Sequence, residues 1–180
     1  MEKRNSDKII RVAVVGPEST GKSELSEKLA KHYQTVFVPE FARDYLNNLG
    51  RKYTYEDVLF IAEQQILLEK KMEREANKIL FCDTALLSIK IWFQVVFTKV
   101  PAQIEGWMKS NVYDFYILTD IDMPWVDDPL REHPHFRKEL LEMHREQLDT
   151  MHADFKRVNG LENTRFLNAV RAIENSGLLR

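Results

Sequence analysis

Gly16-Pro17-Glu18-Ser19-Thr20-Gly21-Lys22-Ser23 fits G-x-x-x-x-G-K-[ST] at every position. It follows an apolar, β-branched run, Ile9 to Val15, and precedes a stretch of helical period, as a phosphate-binding loop requires. Gly16 and Gly21 let the backbone curl, so that successive N–H groups, those of Glu18, Ser19 and Thr20 among them, surround an anion. The helix beginning near Lys22 adds the positive end of its dipole. Lys22 is placed to reach the β- and γ-phosphates, and the Ser23 hydroxyl to ligate Mg²⁺. The loop therefore predicts a nucleoside triphosphate with Mg²⁺ as ligand, and a strand feeding a helix as its scaffold.

The rest of the chain repeats that alternation. Val36 to Val38, Ile79 to Cys82, Phe115 to Thr119 and Phe155 to Val158 read as further strands. Helices are predicted over Lys22 to Tyr33, Thr54 to Ala76 (with Thr54 and Asp57 as a capping-box pair), Leu86 to Phe97, Phe136 to Met151 and Asn163 to Glu174. Strands alternating with such helices predict an α/β protein of the P-loop nucleoside triphosphate hydrolase/kinase fold. We expect a parallel five-stranded sheet in the order 2-3-1-4-5, with helices on both faces and a short lid. The expected organisation is one domain over residues 1–180, with a solvated leader at 1–8 and the lid at 120–134.

Composition removes several function classes. The net charge is −2, without the basic excess of a protein that coats nucleic acid. No apolar run approaches the roughly 20 residues of a membrane helix, and no signal peptide is legible, so a cytoplasmic protein is expected. The single cysteine, Cys82, allows no intrachain disulfide and reads as a small core residue.

A phosphate loop serves switches, motors and kinases alike. The guanine-reading N-K-x-D motif is absent, the fourth strand running on as Thr119-Asp120-Ile121-Asp122, and the length is short for an ATPase with an added helical domain. A kinase of small acceptors needs a second carboxylate for the metal, a carboxylate for the acceptor hydroxyl, and arginines that close over the phosphoryl group. Asp83, at the end of the third strand, suits the metal role and equally the N-cap of the next helix. Glu40 and Arg43 follow the second strand at i, i+3 spacing. Trp125-Val126-Asp127-Asp128-Pro129-Leu130-Arg131 reads as a lid with Arg131 as its clamp. Gln65, on the apolar stripe of the long helix, and Gln64 beside it are candidates for hydrogen bonds to a polar substrate. His133 and His135 lack a third clustered ligand and read as lid surface. Lys90, inside an apolar helix, is expected to snorkel outward.

Taken together, the phosphate loop, Glu40-x-x-Arg43, Ile61-Ala62-Glu63-Gln64, Phe81-Cys82-Asp83-Thr84 and Trp125-Val126-Asp127-Asp128-x-Leu130-Arg131 resemble the ribosylnicotinamide kinase family, the kinase domain of NadR-type proteins. The resemblance covers Ile9 to about Ile173. It implies ATP-dependent phosphorylation of the 5′-hydroxyl of nicotinamide riboside. It also implies Lys22, Ser23 and Asp83 at ATP-Mg²⁺, Glu40 and Arg43 at the substrate, and a lid carrying Arg131. Phe41, Trp125 and Asp127 are the further substrate-side candidates. Two features depart from the pattern. The H-x-G-H signature of a fused adenylyltransferase is absent, so that activity is not expected of this chain. Pro39 and Ile66 stand where better-known members stack the nicotinamide on aromatics, leaving Phe41, Tyr45 or Trp125 to substitute. The alternatives are a kinase of another nucleoside, such as a deoxynucleoside, and a non-catalytic nucleotide-dependent switch.

Overall fold

A computed structural model describes residues 8–179; most of the expected leader lies outside them. The strands are β1 (Ile10–Val15), β2 (Phe37–Val38), β3 (Ile79–Asp83), β4 (Phe115–Thr119) and β5 (Phe155–Val158). They form one parallel sheet in the order β2-β3-β1-β4-β5, as the alternation predicts. The helices are α1 (Lys22–His32), α2 (Phe41–Asn47), α3 (Tyr55–Glu73), α4 (Leu86–Trp92), α5 (Ala102–Ser110), α6 (Arg137–Thr150) and α7 (Glu162–Asn175). None is long and apolar enough to cross a membrane.

Both sheet faces are covered, which is why the central strands read as unbroken apolar runs. On one face Val12, Val14, Phe81 and Ile117 pack with Leu25 and Leu29 of α1 and Ala169 and Ile173 of α7. On the other, Ala13, Val15, Leu80, Cys82 and Leu118 meet Leu87 and Ile91 of α4 and Leu140 and Leu148 of α6. A third cluster around Val58, Ile61, Leu86, Phe93 and Ile104 joins α3, α4 and α5 beside the sheet. Cys82 is fully buried, as a core residue.

Three local expectations change. The helix predicted over Leu86 to Phe97 is α-helical only to Trp92; Phe93–Phe97 form a π-turn closed by Thr98 in the left-handed region. The wider turn sets Phe93 edge-on to Tyr55, and such turns recur at functional sites. Lys90 does not snorkel into water, since its Nζ lies 2.7 Å from Glu105 of α5. That helix was not anticipated, because it carries Gly106 and buries only Ile104 fully. The capping box at α3 is present: the Thr54 hydroxyl accepts the Asp57 N–H, and the Asp57 carboxylate accepts the Thr54 N–H at 2.7 Å.

Parallel pairing brings the candidate residues to one edge. Val38 of β2 faces Cys82, and Val14 of β1 faces Asp83. Glu40, Asp83, Gly16 and Asp120 thus emerge side by side at the carboxyl ends of four adjacent strands, where open α/β sheets bind ligands.

Candidate active site

The loop from Gly16 to Gly21 wraps the end of β1. Gly16 sits at φ +142°, and a Cβ there would meet the Thr119 hydroxyl and lie 2.9 Å from the Thr119 carbonyl. Gly21 sits at φ +72°, beside the Met123 sulfur. Gly16 is demanded for conformation and for space, and Gly21 for conformation. Inside the loop, the Thr20 hydroxyl lies 2.8 Å from the Pro17 carbonyl and 2.7 Å from the Thr119 hydroxyl. Lys22 folds back over the loop and donates to the Pro17 carbonyl at 2.8 Å.

A cavity of about 900 Å³ opens from this loop. At that size it holds a nucleotide-scale ligand. Glu40, Arg43 and Arg131 line it together with the loop residues Gly16 to Ser23. Its lining also has an apolar and aromatic part, Leu46, Ile61, Tyr53, Trp92, Val96 and Phe97. Trp92 Nε1 donates to the Tyr53 hydroxyl at 3.1 Å, and that hydroxyl donates to Glu132 at 2.6 Å. Burial and the Glu132 bond push the Tyr53 phenol up to about 12, so it stays a donor at neutral pH. The sequence pattern did not mark the aromatic members Tyr53, Trp92 and Phe97, which come from the 51–53 loop, α4 and the π-turn.

Asp83 is buried behind the loop, and its Oδ1 has no partner. Burial first, and the Glu40 charge second, push its carboxyl up to about 6; Ser23, Lys22 and Arg43 pull the other way. A buried carboxylate oxygen with no donor, on a carboxylate beside the Ser23 hydroxyl, is chemistry suited to a divalent cation.

Glu40 caps α2 rather than lying within it, and Arg43 follows in its first turn. Gln65, 1 % exposed, accepts the Phe41 N–H at 2.9 Å and donates to the Pro39 carbonyl at 3.4 Å. It holds the backbone on either side of Glu40, and it also lines the cavity, where the sequence placed it as a substrate-side candidate. Arg43 pairs with lid residue Asp128 at 2.9 Å.

Residues 120–136, which include the segment 120–134 expected to form a lid, lie against the loop. The Val126 N–H donates to Ser19 Oγ at 2.9 Å, and Glu18 accepts the Glu132 and His133 N–H groups. Arg131 reaches Ser19 Oγ at 3.4 Å and the Val126 carbonyl, instead of pairing with Asp127 or Asp128. Four expected substrate contacts do not line the cavity. Phe41 packs on Tyr45 and Phe60. Trp125 Nε1 donates to Asp127, which occupies both. Gln64 is half-buried one position off the Gln65 stripe. Helix rotation and the lid's internal bonding account for these differences.

Ser88 and His144 complete the cavity lining. His144 Nδ1 lies 2.7 Å from the Leu140 carbonyl and Nε2 lies 3.0 Å from the Ser88 hydroxyl. A carbonyl only accepts, so Nδ1 carries the proton and the neutral ring accepts from Ser88. Burial lowers the imidazole from 6.5 to about 4. The unfolded chain therefore binds this proton first as pH falls, so this group's stability is intact above pH 6.5 and lost between 6.5 and 4. At pH 5 the loss amounts to roughly 2 kcal/mol. Asp83 acts in the opposite direction, its raised carboxyl favouring the fold as pH falls from 6 to 3.8. Comparing urea midpoints of wild type and His144→Gln at pH 7.5 and 5 isolates the histidine: the wild type should lose about 2 kcal/mol more than the variant. Equal losses would contradict the assignment.

The sheet order, the phosphate loop and the lid crossing it define a P-loop kinase fold. The model of the AAA domain family matches residues 11–165. The chain belongs to that family. It is 30% identical over 169 residues to the trifunctional NAD biosynthesis/regulator protein NadR of Escherichia coli (strain K12), covering 90% of this chain and 41% of that protein. The chain thus spans about two fifths of the length of this curated relative. Among solved structures, NadR protein in complex with NR superposes with a TM-score of 0.72 at 22% identity, over 93% of this chain and 51% of that one. Thymidylate kinase from Ehrlichia chaffeensis superposes with a TM-score of 0.64 at 14% identity, over 91% and 98%. These likenesses bear out the expected fold and the NadR-type resemblance.

Proposed function

We propose that the chain is an ATP-dependent kinase that phosphorylates the 5′-hydroxyl of nicotinamide riboside, giving nicotinamide mononucleotide. One observation carries the reading: an anion nest, a carboxylate, two arginines and several aromatic side chains line a single cavity. The similarity to NadR over 90% of the chain supports the acceptor.

In this mechanism the triphosphate lies in the nest from Gly16 to Ser23, held by backbone N–H groups and by Lys22. Glu40 accepts the hydrogen bond of the acceptor hydroxyl and takes its proton as the oxygen bonds to the γ-phosphorus and the bond from that phosphorus to the β–γ bridging oxygen breaks, releasing ADP. Arg43 and Arg131 leave their contacts with Asp128 and Val126 to balance charge on the transferring phosphoryl group. Mg²⁺ fits beside Ser23 and the unpartnered Asp83 Oδ1, where it would neutralise phosphate charge. No cluster of three or more His, Cys, Asp or Glu suited to a metal exists among the described residues. The remaining ligands would be phosphate and water oxygens. Tyr53, Trp92 and Phe97 offer the base an aromatic wall, a role the sequence assigned to Phe41, Tyr45 or Trp125. Lid closure excludes water that would otherwise hydrolyse ATP.

A nucleoside panel tests the reading. ADP release with nicotinamide riboside should exceed that with deoxyadenosine, thymidine or no acceptor by at least about tenfold. Preferential turnover of another nucleoside would change the acceptor. No acceptor-dependent turnover, with a lid that still moves on ATP binding, would mark a switch instead of an enzyme.

A further inference from the structure

We propose that Arg137 and Arg165 are positioning residues of the phosphate nest: from two different helices they grip consecutive carbonyls of the loop and thereby turn its N–H groups toward the ligand. Arg137 of α6 donates through Nη2 to the Ser19 carbonyl at 3.0 Å. Arg165 of α7 donates through Nη1 to the Thr20 carbonyl. A trans peptide is planar, so the C=O of one residue and the N–H of the next point in opposite directions. Pulling the Ser19 carbonyl outward turns the Thr20 N–H inward, and pulling the Thr20 carbonyl outward turns the Gly21 N–H inward. Two of the nest's donors are thus aimed from behind.

Such aiming is needed, because Ser19 and Gly21 both occupy the left-handed region, at φ 55° and 72°. A loop of that kind has other conformations within a few kcal/mol, and for the non-glycine residue the strain must be over-determined by its surroundings. The Arg165 side chain is 4 % exposed. Beyond Thr20 it holds the Gly160 carbonyl at 2.8 Å, the Asp120 carbonyl at 3.2 Å and the Asp122 carboxylate. Arg137 also holds the Met123 carbonyl at 3.0 Å. Both arginines therefore tie the loop to the root of the lid.

Charge points the same way. Arg165 pairs with Asp122, whereas Arg137 has no ion-pair partner among the described residues. Burial, and then the nearby guanidiniums of Arg165 and Arg131, hold Arg137 below its ordinary value. An arriving polyphosphate would relieve that crowding. The inference rests on the nest binding a nucleotide and is independent of which acceptor is phosphorylated.

The test reads ADP affinity by calorimetry and, in the nucleotide-free chain, amide hydrogen exchange at Thr20 and Gly21. Arg165→Met and Arg137→Met should each weaken ADP binding at least tenfold and speed exchange at both amides. The core amides of Val12 and Val14 should keep their protection. Arg165→Lys should recover part of the affinity, and Arg145→Met, on the exposed face of α6, should change nothing. ADP affinity within twofold of wild type would overturn the proposal. So would a loss of affinity with Thr20 and Gly21 exchange unchanged, which marks direct ligand contact, or with the core amides equally loosened, which marks general destabilisation. Should Arg165→Met fail to fold, the half-buried Arg137 decides the matter alone. ADP is measured without acceptor, so a wrong acceptor leaves this result standing.

Discussion

Lys22→Ala should abolish phosphoryl transfer while leaving the fold intact. The ammonium begins α1 at the lip of the nest and donates to the Pro17 carbonyl at 2.8 Å, a contact it can exchange for a phosphate oxygen without moving the backbone. Alanine is a good helix former and leaves no buried cavity at this half-buried position, so the thermal midpoint should hold. The nest keeps its N–H donors, and ADP affinity should fall only about tenfold. The charge that builds on the transferring phosphoryl group loses its nearest mobile cation, and single-turnover rates should drop roughly 10³-fold. Lys22→Arg should restore little, since a planar fork cannot take the place of a compact ammonium in a closed loop. A Lys22→Ala enzyme within tenfold of wild type would remove the loop lysine from the mechanism.

Glu40→Gln is expected to cut turnover about 10²- to 10⁴-fold, the usual contribution of a positioned general base, with the KM for ATP within about threefold. The substitution is isosteric, and Gln65 still holds Pro39 and Phe41, so the side chain keeps its place at the head of α2. It also has an electrostatic consequence. Glu40 is one of the causes that push Asp83 up to about 6, so its removal should lower that carboxyl and shift the acid limb of metal-dependent activity downward. Gln65→Leu offers a companion measurement: loss of the brace should lower kcat while ATP binding persists. A Glu40→Gln rate equal to wild type would move the base to Asp83 or eliminate the role.

The resemblance between sequence and structure is uneven for physical reasons. β1, the phosphate loop and α1 were legible because chemistry constrains every position: glycine where φ is positive, a lysine and a serine where a helix begins. The strand order was legible because unbroken apolar runs alternating with helices admit few topologies. Asp83 and Glu40 stood out as carboxylates at strand ends, and Arg43 and Arg131 as arginines in the segments that follow β2 and β4. Their partners did not. Arg43 meets Asp128 85 residues away, and Arg131 meets Ser19 112 residues away. No local period encodes such pairs.

The substrate side shows the same division more sharply. Phe41 and Trp125 carry the right chemistry in the right neighbourhood, yet Phe41 turns onto Tyr45 and Phe60, and Trp125 onto Asp127. The aromatic wall comes instead from Tyr53, Trp92 and Phe97, the last of which sits at the end of a π-turn that interrupts an otherwise ordinary helical pattern. Arg137 and Arg165 lay in unremarkable helices until the chain folded their guanidiniums against two loop carbonyls.

Local covalent geometry and burial periodicity were enough to specify a phosphate nest on a parallel sheet, because backbone sterics and apolar alternation act within a few residues. Packing alone settled which side chains bond to the loop carbonyls, hold residues 120–136 against the loop and line the cavity. Those contacts join segments up to 145 residues apart, and each is chosen by how helices seat on the sheet.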